Sequence, residues 1–178
     1  SAIATKSVLA PAASQERSMR DATIVLRPIG PGDLAFLSQV YASTRREELA
    51  PLGWSDQQQA AFLGQQFAAQ HHHYTTHYGG ASFQVILVGG QPAGRLYVAR
   101  WPAEIRIVDI ALLPEFRGAG VGSRLLAELL AEADQAGKPV SIHVEKLNPA
   151  LRLYQRLGFA RAADREVYWL MERAPRAE

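Results

Sequence analysis

The most constraining feature of this sequence is a glycine-rich junction between a strand-like run and a helix-like run, in residues 110–126. The run IALLPEF is typical of a strand end, and glycines follow at positions 118, 120 and 122 as an amphipathic helix pattern begins. Glycine lets the backbone approach a ligand closely, and amides at a helix N-terminus offer hydrogen-bond donors to an anion. Arg117 can add a charge-assisted contact. The junction predicts a phosphate-binding loop; the alternative is a turn whose glycines only permit tight packing.

Before the junction, the spacing of apolar residues predicts one strand and two helices. Alternation predicts a strand over residues 23–29, and Asp33 is a candidate N-cap for a helix that stops at Gly53. Ser55 is the candidate cap of a second helix, over residues 57–70.

The middle of the chain changes to the two-residue period of strands. Residues 82–88 and 94–101 are strand-like runs around Gly89 and Gly90, a strong hairpin signal. Residues 104–113 are a third strand-like run that leads into the junction.

After the junction, helices and strands alternate. Helical spacing predicts a helix over residues 121–136, followed by a short buried strand over residues 140–144. Asn148 and a following proline predict another helix that stops at Gly158, and residues 166–171 predict a last strand. Strands on both sides of helices predict an α/β or α+β fold with a sheet of mixed direction.

The composition fits a globular domain. With 178 residues, 48% of them hydrophobic and 20% charged, the chain can bury a real core. Residues 1–21 are rich in Ala and Ser without periodicity, which predicts a flexible arm, and residues 22–174 are predicted to be a single domain. No apolar run approaches the roughly 20 residues of a membrane helix, and the start lacks a signal-peptide pattern, so we expect a soluble, cytoplasmic protein with no membrane partner.

Charge and cysteine content exclude several function classes. The 19 Lys and Arg residues nearly balance the 17 Asp and Glu residues, which argues against a nucleic-acid partner. The absence of cysteine excludes a disulfide scaffold, a Cys-ligated metal site and a thiolate intermediate.

Two common phosphate-loop patterns do not fit the junction. A dinucleotide GxGxxG fingerprint would need glycine at position 123, where the chain has Ser123. A nucleotide P-loop would need a Lys followed by Ser or Thr after the last glycine, and no such pair follows Gly122.

The junction resembles the acyl-CoA binding signature of the GCN5-related N-acetyltransferase (GNAT) superfamily, with Arg117, Gly120 and Gly122 at its defining positions. The run NPALRLYQRLGF, residues 148–159, resembles the closing helix and turn of that family. The resemblance covers roughly residues 23–171. It implies a mixed, mostly antiparallel central sheet of six to seven strands flanked by about four helices.

Carried over residue by residue, the resemblance implies a site for acetyl-CoA as co-substrate. The backbone of Leu112 would pair with the pantetheine arm, and Asn148 would contact the pantetheine end or shape the gap where two strands splay apart. Tyr154 would lie near the thioester sulfur and protonate the leaving thiolate; its helical spacing alone fits a core aromatic equally well. The cofactor-binding residues implied are Leu112, Arg117, Gly118, Ala119, Gly120, Val121, Gly122, Ser123 and Asn148.

The resemblance does not identify the general base. Related enzymes often carry a Glu on the strand before the junction, at the position that is Arg106 here. Glu104 shares the strand face of Arg106 and is the preferred candidate, while Asp109 points to the other face. His143 and Glu145 are further candidates, and a water relay to solvent is an alternative.

The cluster HHHYTTH, residues 71–77, has two interpretations. His73 and His77 are four apart and could chelate a transition ion on a helix. No carboxylate lies near them in sequence, so we predict a polar helix end and no metal. By family position, four aromatic or His side chains could touch the acceptor: Trp54, Tyr74, His77 and Tyr78.

These observations predict an N-acetyltransferase that moves the acetyl group of acetyl-CoA directly to a primary amine of a small molecule or peptide. Without cysteine, no acetyl-cysteine intermediate can form, so the amine attacks the thioester itself. The alternatives are a transferase that uses another acyl-CoA donor and a non-catalytic acyl-CoA-binding module. The resemblance also allows a homodimer, which is common in the family.

Overall fold

The computed structural model describes residues 13–177, which contain five helices and seven strands. The helices are α1 Ala13–Arg20, α2 Leu34–Leu49, α3 Asp56–His77, α4 Val121–Ala136 and α5 Leu151–Arg156. The strands are β1 Ile24–Pro28, β2 Ser82–Val88, β3 Gln91–Arg100, β4 Ile105–Leu112, β5 Val140–Glu145, β6 Ala160–Arg165 and β7 Tyr168–Arg173. Within residues 13–177, no helix is both long enough and apolar enough to cross a bilayer.

The strands form one sheet in the order β1-β2-β3-β4-β5-β7-β6. The pairs β1–β2, β5–β7 and β6–β7 are antiparallel, and β4–β5 is parallel. Gly89 and Gly90 connect β2 to β3, with φ of +56° and +81°, the left-handed pair that a two-residue hairpin needs. The mixed, mostly antiparallel sheet predicted from the sequence is confirmed.

The chain groups into two compact units. The first comprises residues 13–96 and 110–122 of the described chain. Its helical core lies between α2 and α3, where the buried residues are Leu37, Tyr41, Leu49, Leu63 and Phe67. The helix α3 begins at a capping box, because Ser55 Oγ accepts from the Gln58 amide and Gln58 Oε1 accepts from the Ser55 amide.

The second unit comprises residues 97–109 and 123–177 of the described chain. The β5–β7 ladder is its centre, and it buries Val140, Ile142 and Met171. Asp134 of α4 accepts two hydrogen bonds from the Arg173 guanidinium of β7, at 2.7 and 3.1 Å. Because Arg173 pairs with Val140 in the ladder, α4 covers the face that carries Val140.

The strand β6 was not predicted. Its sequence, ARAADR, has no alternation of apolar and polar residues, and most of its residues are exposed at the sheet edge. An edge strand with two solvated sides needs no hydrophobic pattern, since the backbone ladder to β7 defines it. The predicted last strand, residues 166–171, is instead β7, which begins at Tyr168.

One predicted cap contact and two predicted helix ends differ. Asp33 is the N-cap residue of α2 as predicted, but its carboxylate makes no cap hydrogen bond and accepts instead from Arg27 and from the Gly30 amide. The helix α3 continues to His77 because nothing between Gln70 and Gly79 breaks a helix, although the apolar pattern stops. The last helix begins later than predicted, after a turn over residues 148–150. The segment predicted as an arm contains α1, and its residues 1–12 lie outside the described chain.

Gly94 of β3 lies against the end of β4. A Cβ at Gly94 would overlap the carbonyl group of Ala111, and the Leu113 amide donates to the Ala93 carbonyl at 2.8 Å. Backbone atoms on both sides cannot move apart without losing that hydrogen bond.

We therefore expect Gly94→Ala to lower the free energy of unfolding by about 1–3 kcal/mol or more, as overpacking does. The control is Gly64→Ala in the interior of α3, where a Cβ would meet nothing within 4 Å. The control should stabilise the protein by about 0.5–1 kcal/mol, because alanine is the better helix former. Urea denaturation measures both, and equal stability of Gly94→Ala and wild type would contradict the prediction.

Candidate functional site

The glycine-rich junction forms an exposed loop at the start of α4. After β4 ends at Leu112, a short 3₁₀ turn precedes Gly118 and Gly120, which have φ of +79° and +82°. Residues that carry a side chain rarely adopt this left-handed backbone conformation, so the path of the chain favours glycine at both positions. Two alternating residues anchor the loop in the protein interior, since Ala119 is 3% exposed and Val121 is 1% exposed.

The loop has the features of an anion site. Gly118, Gly120 and Ser123 are exposed. The first amides of α4 have no acceptor within the helix and carry the positive end of its dipole. A Cβ at Gly122 would meet only the Leu112 side chain, at 4.0 Å, so the backbone there is accessible. This arrangement suits a phosphate or pyrophosphate group.

Arg117 is ordered beside this loop. Its Nε donates to the Leu112 carbonyl oxygen at 2.9 Å, and the side chain is exposed. The guanidinium therefore lies at the end of β4, and its terminal nitrogens carry further N–H groups that can donate to a second acceptor.

A second set of polar side chains occupies one face of the other unit. The Arg106 Nε donates to Ser141 Oγ at 2.6 Å, and Ser141 Oγ donates to Glu104 Oε2 at 2.7 Å. An ion pair of 3.5 Å joins Arg106 to Glu104. We call Arg106, Ser141 and Glu104 the β4–β5 polar cluster, because Arg106 and Ser141 are partners in the parallel ladder.

The side chains of the β4–β5 polar cluster are largely buried, which restricts their movement. Ser141 is fully buried, and the Arg106 and Glu104 side chains are 12% and 24% exposed. The Arg106 guanidinium lies over the Trp101 ring, 5.2 Å from its centroid. Sequence reasoning placed Glu104 and Arg106 on one face but missed Ser141, which only the strand register could reveal.

His143 lies beside this cluster. It is two residues after Ser141 on β5, so both side chains are on the same face, and the His143 side chain is exposed. Partial burial and the nearby positive charges of Arg106 and Arg165 lower the pKa of His143, while Glu104 acts in the opposite direction. The imidazole is therefore mainly neutral near pH 7 and able to accept a proton.

Tyr154 lies in α5 and is 6% exposed. Its ring packs edge-on against Phe159 at 5.7 Å, and the Phe159 amide donates to the Tyr154 carbonyl, as in a helix stop with glycine at position 158. Burial and the Asp109 carboxylate raise the pKa of Tyr154 to about 12. The phenol thus keeps its proton throughout the physiological range.

Asn148 organises the turn before α5. Its Oδ1 accepts from the Ala150 amide at 2.9 Å, and its carbonyl accepts from the Leu151 amide at 3.1 Å. The residue is exposed. Asn148 is therefore not the N-cap of α5, which is Ala150; its carboxamide oxygen closes the turn that precedes the helix, and its side-chain NH₂ group can donate to a ligand.

The sequence pattern of the Acetyltransferase (GNAT) family matches residues 39–159. This chain belongs to that family. The match includes both predicted motifs, the Arg117 loop and the run that ends at Phe159, so the resemblance found in the sequence is confirmed.

One relative is a curated bacterial enzyme. The GNAT chain is 38% identical over 94 residues to the N-alpha-acetyltransferase RimI of Mycobacterium tuberculosis. The aligned region is 52% of this chain and 58% of the relative, so the chain spans little more than half the relative's length.

Solved structures show the same fold at low identity. The PaiA N-acetyltransferase of Thermoplasma acidophilum, solved in complex with coenzyme A, superposes with a TM-score of 0.64 at 16% identity, over 85% of this chain and 99% of that one. The ribosomal-protein-S18-alanine N-acetyltransferase of Escherichia coli gives a TM-score of 0.57 at 20% identity, over 88% and 97%.

The histidine cluster forms the C-terminal end of α3. The centroids of the His73 and His77 rings are 4.2 Å apart in a tilted arrangement, and His77 Nδ1 lies 3.0 Å from the His73 carbonyl oxygen. Nearby, Tyr74 packs against Tyr78 at 6.2 Å, and Trp54 packs against Phe62 at 5.2 Å. Within residues 13–177, no three metal-ligating side chains come together.

Proposed function

We propose that this GNAT protein is an acetyl-CoA-dependent N-acetyltransferase that moves an acetyl group directly to a primary amine. The observation that carries the proposal is the Arg117 loop, with left-handed Gly118 and Gly120 at the start of α4 inside the family match. This is the chemistry that a pyrophosphate requires, and a structural neighbour was solved with coenzyme A. A cytoplasmic location and a homodimer stay predictions.

In the proposed complex, the loop binds the pyrophosphate of acetyl-CoA. The backbone amides of residues 118–123 donate to its oxygens, and the remaining N–H groups of Arg117 add a charged contact. Leu112 contributes backbone pairing to the pantetheine arm, and Asn148 contributes its exposed side-chain amide.

A peptide N-terminus is the acceptor we favour. The support is the similarity to an N-alpha-acetyltransferase, which extends over part of each chain. A small-molecule amine is the alternative acceptor, and a panel of both decides between them.

The proposed reaction has two proton transfers. The neutral amine attacks the thioester carbonyl, the C–S bond breaks, and the leaving thiolate takes the phenol proton of Tyr154. A pKa of about 12 keeps the phenol protonated until the thiolate develops. Solvent then returns a proton to the phenolate.

His143 is the proposed acceptor of the amine proton. It is neutral near pH 7 and exposed, whereas the Glu104 carboxylate already accepts from Ser141 and pairs with Arg106. Glu104, preferred from the sequence, stays the second candidate.

A second function is favoured by one observation. The strand position at which related enzymes often carry a Glu is occupied by Arg106, which fits an acyl-CoA-binding module without acceptor chemistry. That module would bind coenzyme A and release no thiol with any amine. A transferase that uses another acyl-CoA donor is the remaining alternative. Turnover with a panel of acyl-CoAs distinguishes it from an acetyltransferase.

Calorimetry tests the cofactor site. We expect acetyl-CoA to bind with a Kd in the range of about 1 μM to 1 mM, as enzyme substrates do. Arg117→Ala should weaken binding about tenfold, the value of one charge-assisted contact. The control Arg46→Ala removes an exposed arginine of α2 and should leave binding unchanged. An absence of heat with folded wild-type protein would refute the cofactor assignment.

Tyr154→Phe tests the general acid. Turnover of acetyl-CoA with an accepted amine should fall by about 10²-fold, while the Kd for acetyl-CoA stays within twofold of wild type. Tyr41→Phe is a matched control, because Tyr41 is also 6% exposed but lies in the α2–α3 core. If both variants retain wild-type turnover, Tyr154 has no part in the proton transfer.

His143→Gln and Glu104→Gln distinguish the two candidate bases. Loss of the base should lower kcat/KM by about 10²–10⁴-fold. We expect that loss in His143→Gln and less than a tenfold change in Glu104→Gln, measured by thiol release at pH 7.5. The reverse ranking would assign the proton acceptor to Glu104, and equal retention of activity would favour a water relay.

A further inference from the structure

The Arg106 guanidinium is fixed on three sides within its own unit. Ser141 Oγ accepts from its Nε at 2.6 Å, Glu104 pairs with it at 3.5 Å, and the Trp101 ring lies beneath it at 5.2 Å. Its side chain is 12% exposed. A charge this immobile and this poorly solvated acts on its neighbours more strongly than a surface arginine does.

Two hydrogen bonds hold the turn that carries Trp101 in place. The Trp101 amide donates to the Glu104 carbonyl at 2.9 Å, and Lys138 Nζ donates to the Trp101 carbonyl at 3.0 Å. Trp101 therefore supports the guanidinium from a rigid turn, and Arg106 cannot leave the sheet without losing its stacking contact.

The strand register places this charge next to His143. Arg106 is the partner of Ser141, and His143 follows Ser141 by one strand repeat on the same face. The other strands also bring charged or titratable groups to this face, because Glu172 pairs with Ser141, Tyr168 with Glu145, and Arg165 with Tyr168. In the described strands and the turn before β4, the charged or titratable residues that the register places on the sheet face of His143 are Glu104, Arg106, Glu145, Arg165, Tyr168 and Glu172.

We propose that Arg106 is a positioning residue that keeps the His143 imidazole neutral, and so ready to accept a proton from the acceptor amine. Arg106 does so through its fixed charge, without contact with either substrate. The Glu104 carboxylate acts against it, and the Ser141 hydroxyl holds the two ions in a fixed geometry by accepting from one and donating to the other. The inference rests on the proposed function only for the proton-acceptor role.

The sign of the effect is defined for each ion. A positive charge disfavours the imidazolium, so removing Arg106 stabilises the protonated form of His143. Removing the negative charge of Glu104 destabilises the protonated form. The two neutral substitutions should therefore shift the proton affinity of His143 in opposite directions, which a general loosening of the fold would not produce.

The test is an NMR titration of the His143 ring in the ligand-free protein, with the resonance assigned by its loss in His143→Gln. Arg106→Gln should raise the proton affinity of His143 about threefold or more, and Glu104→Gln should lower it. The matched control is Arg100→Gln, which removes an equal charge from the same unit at the exposed pair with Glu132. This control should change the affinity by less than a factor of 1.5.

A titration of Arg106→Gln that coincides with that of Arg100→Gln would overturn the proposal. If Arg106→Gln does not fold, Glu104→Gln decides, because an unchanged or raised proton affinity there also overturns it. The acidic limb of the kcat/KM profile should move to higher pH in Arg106→Gln, in parallel with the NMR titration. An NMR shift without any acetyl transfer by the wild-type protein would leave the electrostatic role standing and remove the proposed function instead.

Discussion

The parallel pairing of β4 with β5 is the constraint on which the rest of the chain depends. Two parallel neighbours cannot be joined by a tight turn, so the chain must leave the end of β4 and return through a crossover helix. That helix is α4, and its N-terminus follows directly on the loop at the end of β4. The glycine-rich loop is thus a consequence of strand direction as well as the proposed ligand site.

The β4–β5 pairing also determines which polar side chains meet on the sheet face that carries Arg106. Only three residue pairs are formed, and the central one joins Arg106 to Ser141. A shift of one residue would turn Ser141 to the other face and separate it from both ions. The hydroxyl that bridges Glu104 and Arg106 therefore depends on register, and so does the position of His143.

The sequence predicted those parts of the fold that local physics specifies. The hairpin at Gly89 and Gly90, the amphipathic helix α4 and the loop around Arg117 each follow from conformational or periodic demands that one segment carries by itself. The edge strand β6 was invisible because its ladder partner, rather than its own pattern, makes it a strand. The extension of α3 to His77 was missed because an exposed helix can continue without an apolar face.

The residues of the candidate site also form two groups: those that a local sequence pattern identifies and those that only the fold brings together. The proposed cofactor-binding residues lie in contiguous segments and could be named from spacing and resemblance. The β4–β5 polar cluster joins residues that are 35 and 37 positions apart, so no local pattern could identify it. For this reason Glu104 appears from the sequence as an available carboxylate, whereas the structure shows its oxygens already accepting a hydrogen bond and an ion pair.

The contact between Arg117 and the Leu112 carbonyl has a consequence for how the loop meets a ligand. A long, flexible side chain normally gives up much of its rotamer freedom when it binds an anion, and that lost entropy weakens binding. Here an acceptor in the chain's own backbone has already selected one orientation of the guanidinium. The ordering cost is incurred on folding, so the proposed pyrophosphate ligand would meet a side chain whose disorder has been removed beforehand.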